Sequence, residues 1–342
     1  MTTQFRDFIA AVPSLKHIFF GGKGGVGKTV VSAGAAYYLS ESLGRKTLIL
    51  STNPFHSLSN AFGQDFWGKG ICKVEGAQSL YAKEVDVSDI TRRYEQKLRE
   101  KVVGYLQEAG VPIHPELFAS VEKAIARFAE VAMTNPAFEE SAMFDDMIDV
   151  ILEDEFDVYV FDTAPVSLTY RLFKMSKVYD FWLRRMVKSI EVASSHRVDP
   201  SWRTQVLDKV RKDPLFMGLL ATRQRSEEGR KLLSDKEKTA FFFVTLPLAL
   251  PIAVTQRFIG WISEFKIPIG GVIVNHVIPK EQFDLANTSP YLVNKIREQE
   301  EYLKIIHDRF SGLIRAHIPL YETEVHGMDE IARVAEALRG SS

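Results

Sequence analysis

Cysteine is nearly absent. Cys72 is alone in 342 residues, so no disulfide can form within the chain and no zinc site can be built from its own cysteines. A reducing, cytoplasmic setting fits that usage. Excess charge is missing too. Lys and Arg number 43 against 44 Asp and Glu, a net charge of −1. That excludes a general attraction to nucleic acid or anionic membrane and leaves only local patches. The longest uncharged apolar stretch, FFFVTLPLALPIAV from Phe241 to Val254, contains Pro247 and Pro251. It is too short to span a bilayer comfortably and reads as a buried strand and turn. The opening MTTQFRDFIAAVPSLK mixes charge with apolar residues, and no signal peptide is expected from it. There is no low-complexity linker and no internal repeat, which excludes a fused tandem pair of similar domains.

What is present is ordinary globular composition, 46% hydrophobic and 25% charged, on a chain long enough for one large core or two smaller ones. Apolar runs at Leu15–Phe20, Thr47–Leu50, Leu80–Val85 and Asp157–Phe161 read as strands, as do those within AFFFVTLP, IGGVIVNHVIP and LIRAHIP. They are unbroken rather than alternating, as parallel strands covered on both faces require. Their alternation with helical stretches predicts an α/β fold, a doubly wound and mostly parallel sheet.

Two segments interrupt that rhythm with helices alone, about 87–153 and 170–238. In the first, Ile90, Tyr94, Leu98, Val102 and Leu106 recur every four residues, and Leu117, Val121, Ile125 and Phe128 continue after Pro115. A third helix is expected from about Ala137 to Leu152. The two segments are expected to form a helical subdomain inserted in a single domain spanning 1–342.

GGKGGVGKT, Gly21 to Thr29, fits the phosphate-loop pattern and stands between a strand and a helix, the context the motif requires. The residue types suit phosphate chemistry. Backbone N–H groups of Gly24, Gly25, Val26 and Gly27 can wrap phosphates, and the helix N-terminus adds partial positive charge. Lys28 is expected to reach the β- and γ-phosphates, and the Thr29 hydroxyl to ligate Mg²⁺. The expected ligands are therefore ATP and Mg²⁺. The Thr47–Leu50 strand ends at STNPFHSL, which delivers Asn53 to the same edge.

Lys23, a second lysine inside the loop, marks the deviant Walker A class of P-loop NTPases. GGKGGVGKT, STNPFHSLSNAF, FDTAP, GGVIVNHVIP and IPLYETEVHG stand in the order and spacing of one family. The chain resembles the arsenical pump ATPase and tail-anchored protein targeting factor family over most of its length. The resemblance implies a homodimer with nucleotide between the subunits, Lys23 reaching the partner's nucleotide. Asp162 would hold Mg²⁺ through water, Asn275 would hydrogen-bond adenine, and Pro319 and Leu320 would flank the base. Taken without the resemblance, Lys23 is a loop lysine, Asp162 a turn cap and Asn275 a turn residue. Pro319 and Leu320 could equally be core and turn.

The chain departs from the family pattern at its switches. STNPFHSL has Asn53 where the family has the aspartate that positions and polarises the attacking water. DTAPVSLT has Val166, Ser167 and Leu168 where the family has a threonine, a flexible glycine and a histidine. Leu248 and Val254 stand near positions of two family glutamates. An asparagine carbonyl can orient a water but cannot accept its proton. Binding should survive and hydrolysis should be slow.

In the family, apolar helices handle clients. Phe173, Met175, Phe181, Trp182, Met186, Phe216 and Met217 are candidates for that surface, although stripes at helical spacing usually face a core. A single cysteine does not supply the metalloid site of pump members or the interfacial zinc of eukaryotic targeting factors, so neither site is expected. The expected function is a cytoplasmic ATP-binding switch acting on an apolar protein client or membrane partner. The alternative is a hydrolysis-deficient interaction module with ATP as structural ligand.

Overall fold

A computed structural model describes residues 4–52, 56–108, 115–133, 143, 146–162, 224, 227–284 and 287–340. The chain divides into two compact units. The first comprises Met1–Asp86, Asp149–Ser167 and Leu232–Ser342, the second Val87–Ile148 and Leu168–Lys231.

The first unit is built on a sheet of strands β1 (His17–Gly21), β2 (Thr47–Ser51), β3 (Cys72–Lys73), β4 (Leu80–Glu84), β5 (Val158–Asp162), β6 (Thr239–Thr245), β7 (Ile269–Val277) and β8 (Ile314–Pro319). Their order is β3-β4-β2-β5-β1-β6-β7-β8. Every pairing is parallel except β3 with β4. This is the doubly wound α/β arrangement expected of the apolar runs. β1 lies between β5 and β6, and its sequence successor β2 lies beyond β5. Ligands in open α/β sheets bind at the carboxyl ends of strands beside such reversals.

The central strands are buried along their whole length because alternate side chains enter opposite cores. On one face Phe20 and Phe242 stack at 5.7 Å, and Phe242 meets Phe5 edge-on at 5.1 Å. On the other, Phe19 stacks on Phe161 at 4.5 Å and on Phe241 at 4.7 Å. Each buried ring contributes roughly 1.5–3 kcal/mol of apolar transfer, so the two layers hold β5, β1 and β6 as a rigid plate.

Among the described residues, the helices of this unit include α1 (Phe5–Ala11), α2 (Lys28–Tyr37), α3 (Ser57–Phe62), and, after the second unit's helices, α6 (Ala249–Glu264), α7 (Pro290–Arg309) and α8 (Met328–Arg339). A π-helical turn, Tyr38–Ser42, prolongs α2 toward Gly44, whose φ of +66° ends it. The reading of Phe241–Val254 as strand and turn needs correction. The strand is there, but Pro251 lies in the first turn of α6. A first-turn N–H has no acceptor inside its own helix, so proline is tolerated there.

In the second unit, α4 (Val87–Glu108) and α5 (Pro115–Met133) pack together, with Pro115 at the first helical position. Arg99 Nε lies 2.5 Å from Glu122 Oε1 across the pair. Residues 143 and 146–148 of this unit are also helical, as are residues 149–152 of the first. Most of the 170–238 segment lies outside the described residues, including Phe173, Met175, Phe181, Trp182, Met186, Phe216 and Met217. No described helix is long and apolar enough to cross a membrane.

Candidate functional site

The loop between β1 and α2 curls because its glycines adopt left-handed backbone. Gly25 has φ +79° and Gly27 φ +83°. Gly27 is doubly constrained, since a Cβ there would run into Nδ2 of Asn275. Gly24 and Gly25 are exposed and Val26 is buried. The Lys28 ammonium folds back over the loop and donates to the Lys23 carbonyl at 3.4 Å. Lys23 Nζ donates to the Gly24 carbonyl at 3.4 Å. Burial lowers the Lys28 pKa from its ordinary value, and the negative charge of Asp162 opposes that fall.

Asp162 ends β5 and is 1% exposed. Its Oδ2 accepts from Thr29 Oγ1 at 2.6 Å, Ser51 Oγ at 3.1 Å and Ser57 Oγ at 3.5 Å. Burial pushes its carboxyl above the usual carboxylate range, against the pull of Thr29, Lys28, Ser51 and Ser57. A carboxylate and three hydroxyls form a hard-oxygen set, the kind that suits Mg²⁺. A cation there would also relieve the cost of burying the charge. The donor set therefore fits the expected metal.

Asn275 is 2% exposed on β7, and its Nδ2 donates to the Val26 carbonyl at 3.0 Å. The amide thus braces the phosphate loop. Its second N–H and its Oδ1 are the groups that could meet a base. Pro319 ends β8 opposite Val277, and Leu320 N donates to the Val277 carbonyl at 2.9 Å. That bond holds the Pro319–Leu320 pair beside the strand carrying Asn275. Leu320 is 47% exposed.

Asn53 lies outside the described residues, as do Val166, Ser167 and Leu168. Thr29 and Asp162, both expected from the sequence, are in hydrogen-bond contact, and Ser51 and Ser57, which were not expected, join them. Ser51 pairs in register with Asp162 on one side and Glu84 on the other. No motif announces that alignment. The only signal is that three strands end in polar residues, and their neighbourhood depends on sheet order.

The model of the anion-transporting ATPase family matches residues 15–340. The chain is 28% identical to ATPase ASNA1 homolog 2 of Paramecium tetraurelia, covering 95% of this chain and 94% of that one. It is 27% identical to the putative arsenical pump-driving ATPase 2 of Aquifex aeolicus, covering 95% and 99%. It is 26% identical to ATPase get3 of Schizosaccharomyces pombe, covering 95% and 91%.

Proposed function

Because the chain belongs to the anion-transporting ATPase family, we propose that it is a homodimeric ATP-binding switch with slow hydrolysis. The observation that carries this reading is the 2.6 Å bond between Thr29 and the buried Asp162 beneath the glycine-rich loop. It joins the phosphate loop to the end of β5, where a nucleotide's metal would sit.

Backbone N–H groups of Gly24, Gly25, Val26 and Gly27 cradle the phosphates, and Lys28 turns from the Lys23 carbonyl to the β- and γ-oxygens. Mg²⁺, when bound, neutralises charge on those oxygens. Thr29 would ligate it and Asp162 would hold it through water, with the Ser51 and Ser57 hydroxyls alongside. Lys23, whose Nζ rests on the Gly24 carbonyl, reaches the nucleotide of a second copy. Asn275 meets adenine with the part of its amide not used on Val26, and Pro319 and Leu320 flank the base.

Nucleotide binding between the copies changes the exposure of the helical subdomain, 87–153 and 170–238 of a single 1–342 domain. An apolar protein client or membrane partner docks on that subdomain, in the cytoplasm. Asn53 keeps turnover low because an amide aims a water without accepting its proton.

Calorimetry with Mg·ATP tests the site. Lys28→Ala is expected to lose binding sharply, because the lysine is the loop's principal charge on the phosphates. Undiminished affinity in that variant would sink the assignment.

A further inference from the structure

We propose that Glu84 is the positioning residue of the first switch, holding α3 so that Ser57 stays on the metal side of Asp162. The proposal rests on the nucleotide reading given above. Glu84 ends β4 and is 2% exposed. β2 places Ser51 between Glu84 on β4 and Asp162 on β5. Two buried carboxylates therefore flank one serine at the same level of the sheet.

They divide the first turn of α3 between them. Asp162 accepts from Ser57 Oγ at 3.5 Å. Glu84 Oε1 accepts from Leu58 N at 2.7 Å and Ser59 N at 3.2 Å, and its Oε2 from Ser59 Oγ at 2.5 Å. Ser59 Oγ in turn accepts from Phe66 N at 3.0 Å.

The first N–H groups of a helix lack acceptors of their own. The residue in the capping position, His56, has φ +50° and makes no side-chain cap bond. The cap comes instead from another strand. A six-residue helix has little stability alone, so its orientation follows its tethers. At the far end, His326 Nδ1 lies 2.7 Å from the Asn60 carbonyl, and Gly327 N donates to the Ala61 carbonyl at 2.9 Å. Glu84 tethers the opposite end of α3, the end that carries Ser57. Among the described residues its side-chain bonds all go to Leu58 and Ser59, so it acts through α3.

The test compares wild type, Glu84→Gln and Glu84→Asp by amide hydrogen exchange and by ATP titration with and without Mg²⁺. In nucleotide-free protein, exchange at Leu58 and Ser59 is expected to accelerate about 10–100-fold in Glu84→Gln, with β1 and β5 unchanged. ATP affinity without Mg²⁺ should stay at the wild-type level, because the loop and Lys28 are intact. The gain in affinity on adding Mg²⁺ should shrink. Glu84→Asp keeps the charge and should restore part of both, and it carries the comparison if Glu84→Gln does not fold.

Unchanged exchange at Leu58 and Ser59 would overturn the proposal. So would acceleration spread across the sheet, or an unaltered Mg²⁺ response. A wild-type protein that bound no ATP would defeat the nucleotide reading instead, and the exchange comparison would still decide the clamp.

Discussion

The side-chain amide of Asn275 fills the space beside Gly27 that a Cβ would need, and its Nδ2 donates to the adjacent Val26 carbonyl at 3.0 Å. The strand expected to read the base therefore also braces the loop expected to hold the phosphates. Gly27→Ala meets two obstacles, the Asn275 amide and its own φ of +83°. The expected cost is about 1–3 kcal/mol of stability, with loss of ATP binding by calorimetry. Adding Asn275→Ala removes the collision but not the backbone strain. The double variant should recover only part of the stability in chemical denaturation.

Asp162→Asn separates stability from metal binding. Burial raises the Asp162 pKa, so keeping the group ionised costs the folded state. That cost is absent at pH values below the unfolded pKa and grows as pH rises through the folded one. An amide of the same shape removes it, and the nucleotide-free variant should denature at higher urea concentration at neutral pH. Mg²⁺ affinity in the presence of ATP should fall about 10–100-fold. A variant less stable and equally responsive to Mg²⁺ would contradict both halves.

The centre of the sheet was legible because β1, β2, β5 and β6 are largely apolar runs buried throughout, and because the β1–loop–α2 junction is a motif of fixed chemistry. β3 was not legible, because two residues, Cys72 and Lys73, carry no period. α6 was obscured by Pro247 and Pro251, which read as breakers although Pro251 sits in a first turn. In the site, Thr29 and Asp162 announce themselves by motif and strand end. Ser51 and Glu84 become meaningful only through the β5-β2-β4 register, a tertiary fact with no local trace.

His17 supplies a pH dependence remote from the Gly21–Thr29 loop. It is 5% exposed at the opposite end of β1, its Nδ1 is 3.3 Å from Thr239 Oγ1, and its ring lies 5.9 Å from that of Tyr159. Burial, aided by Lys16 and Lys238, lowers its pKa from 6.5 to about 4. The unfolded chain thus binds a proton that the fold resists between those values. Stability present above pH 6.5 is lost as pH falls toward 4, by about 3 kcal/mol from this group. Urea denaturation at pH 7 and pH 4.5 should show the loss in wild type. His17→Phe, which cannot titrate, should show a flatter profile. An equally steep profile in that variant would assign the acid sensitivity elsewhere.

Asn53→Asp asks whether the rest of the hydrolytic machinery is intact. On the proposed reading the Asn53 amide aims a water, but an amide cannot hold the charge that develops or take the proton. Restoring the acid is expected to raise single-turnover phosphate release by about 10²–10⁴-fold. ATP affinity should change little, since the loop backbone and Lys28 carry it. A gain of that size would mean that Ser51, Ser57, Thr29 and Asp162 already form a competent metal site and that only the water-positioning acid is missing. No gain would put the limit in the proposed second switch, the segment that carries Val166, Ser167 and Leu168. ATP would then act as a structural ligand or assembly signal, and nucleotide-dependent dimerisation, rather than turnover, would be the activity to measure.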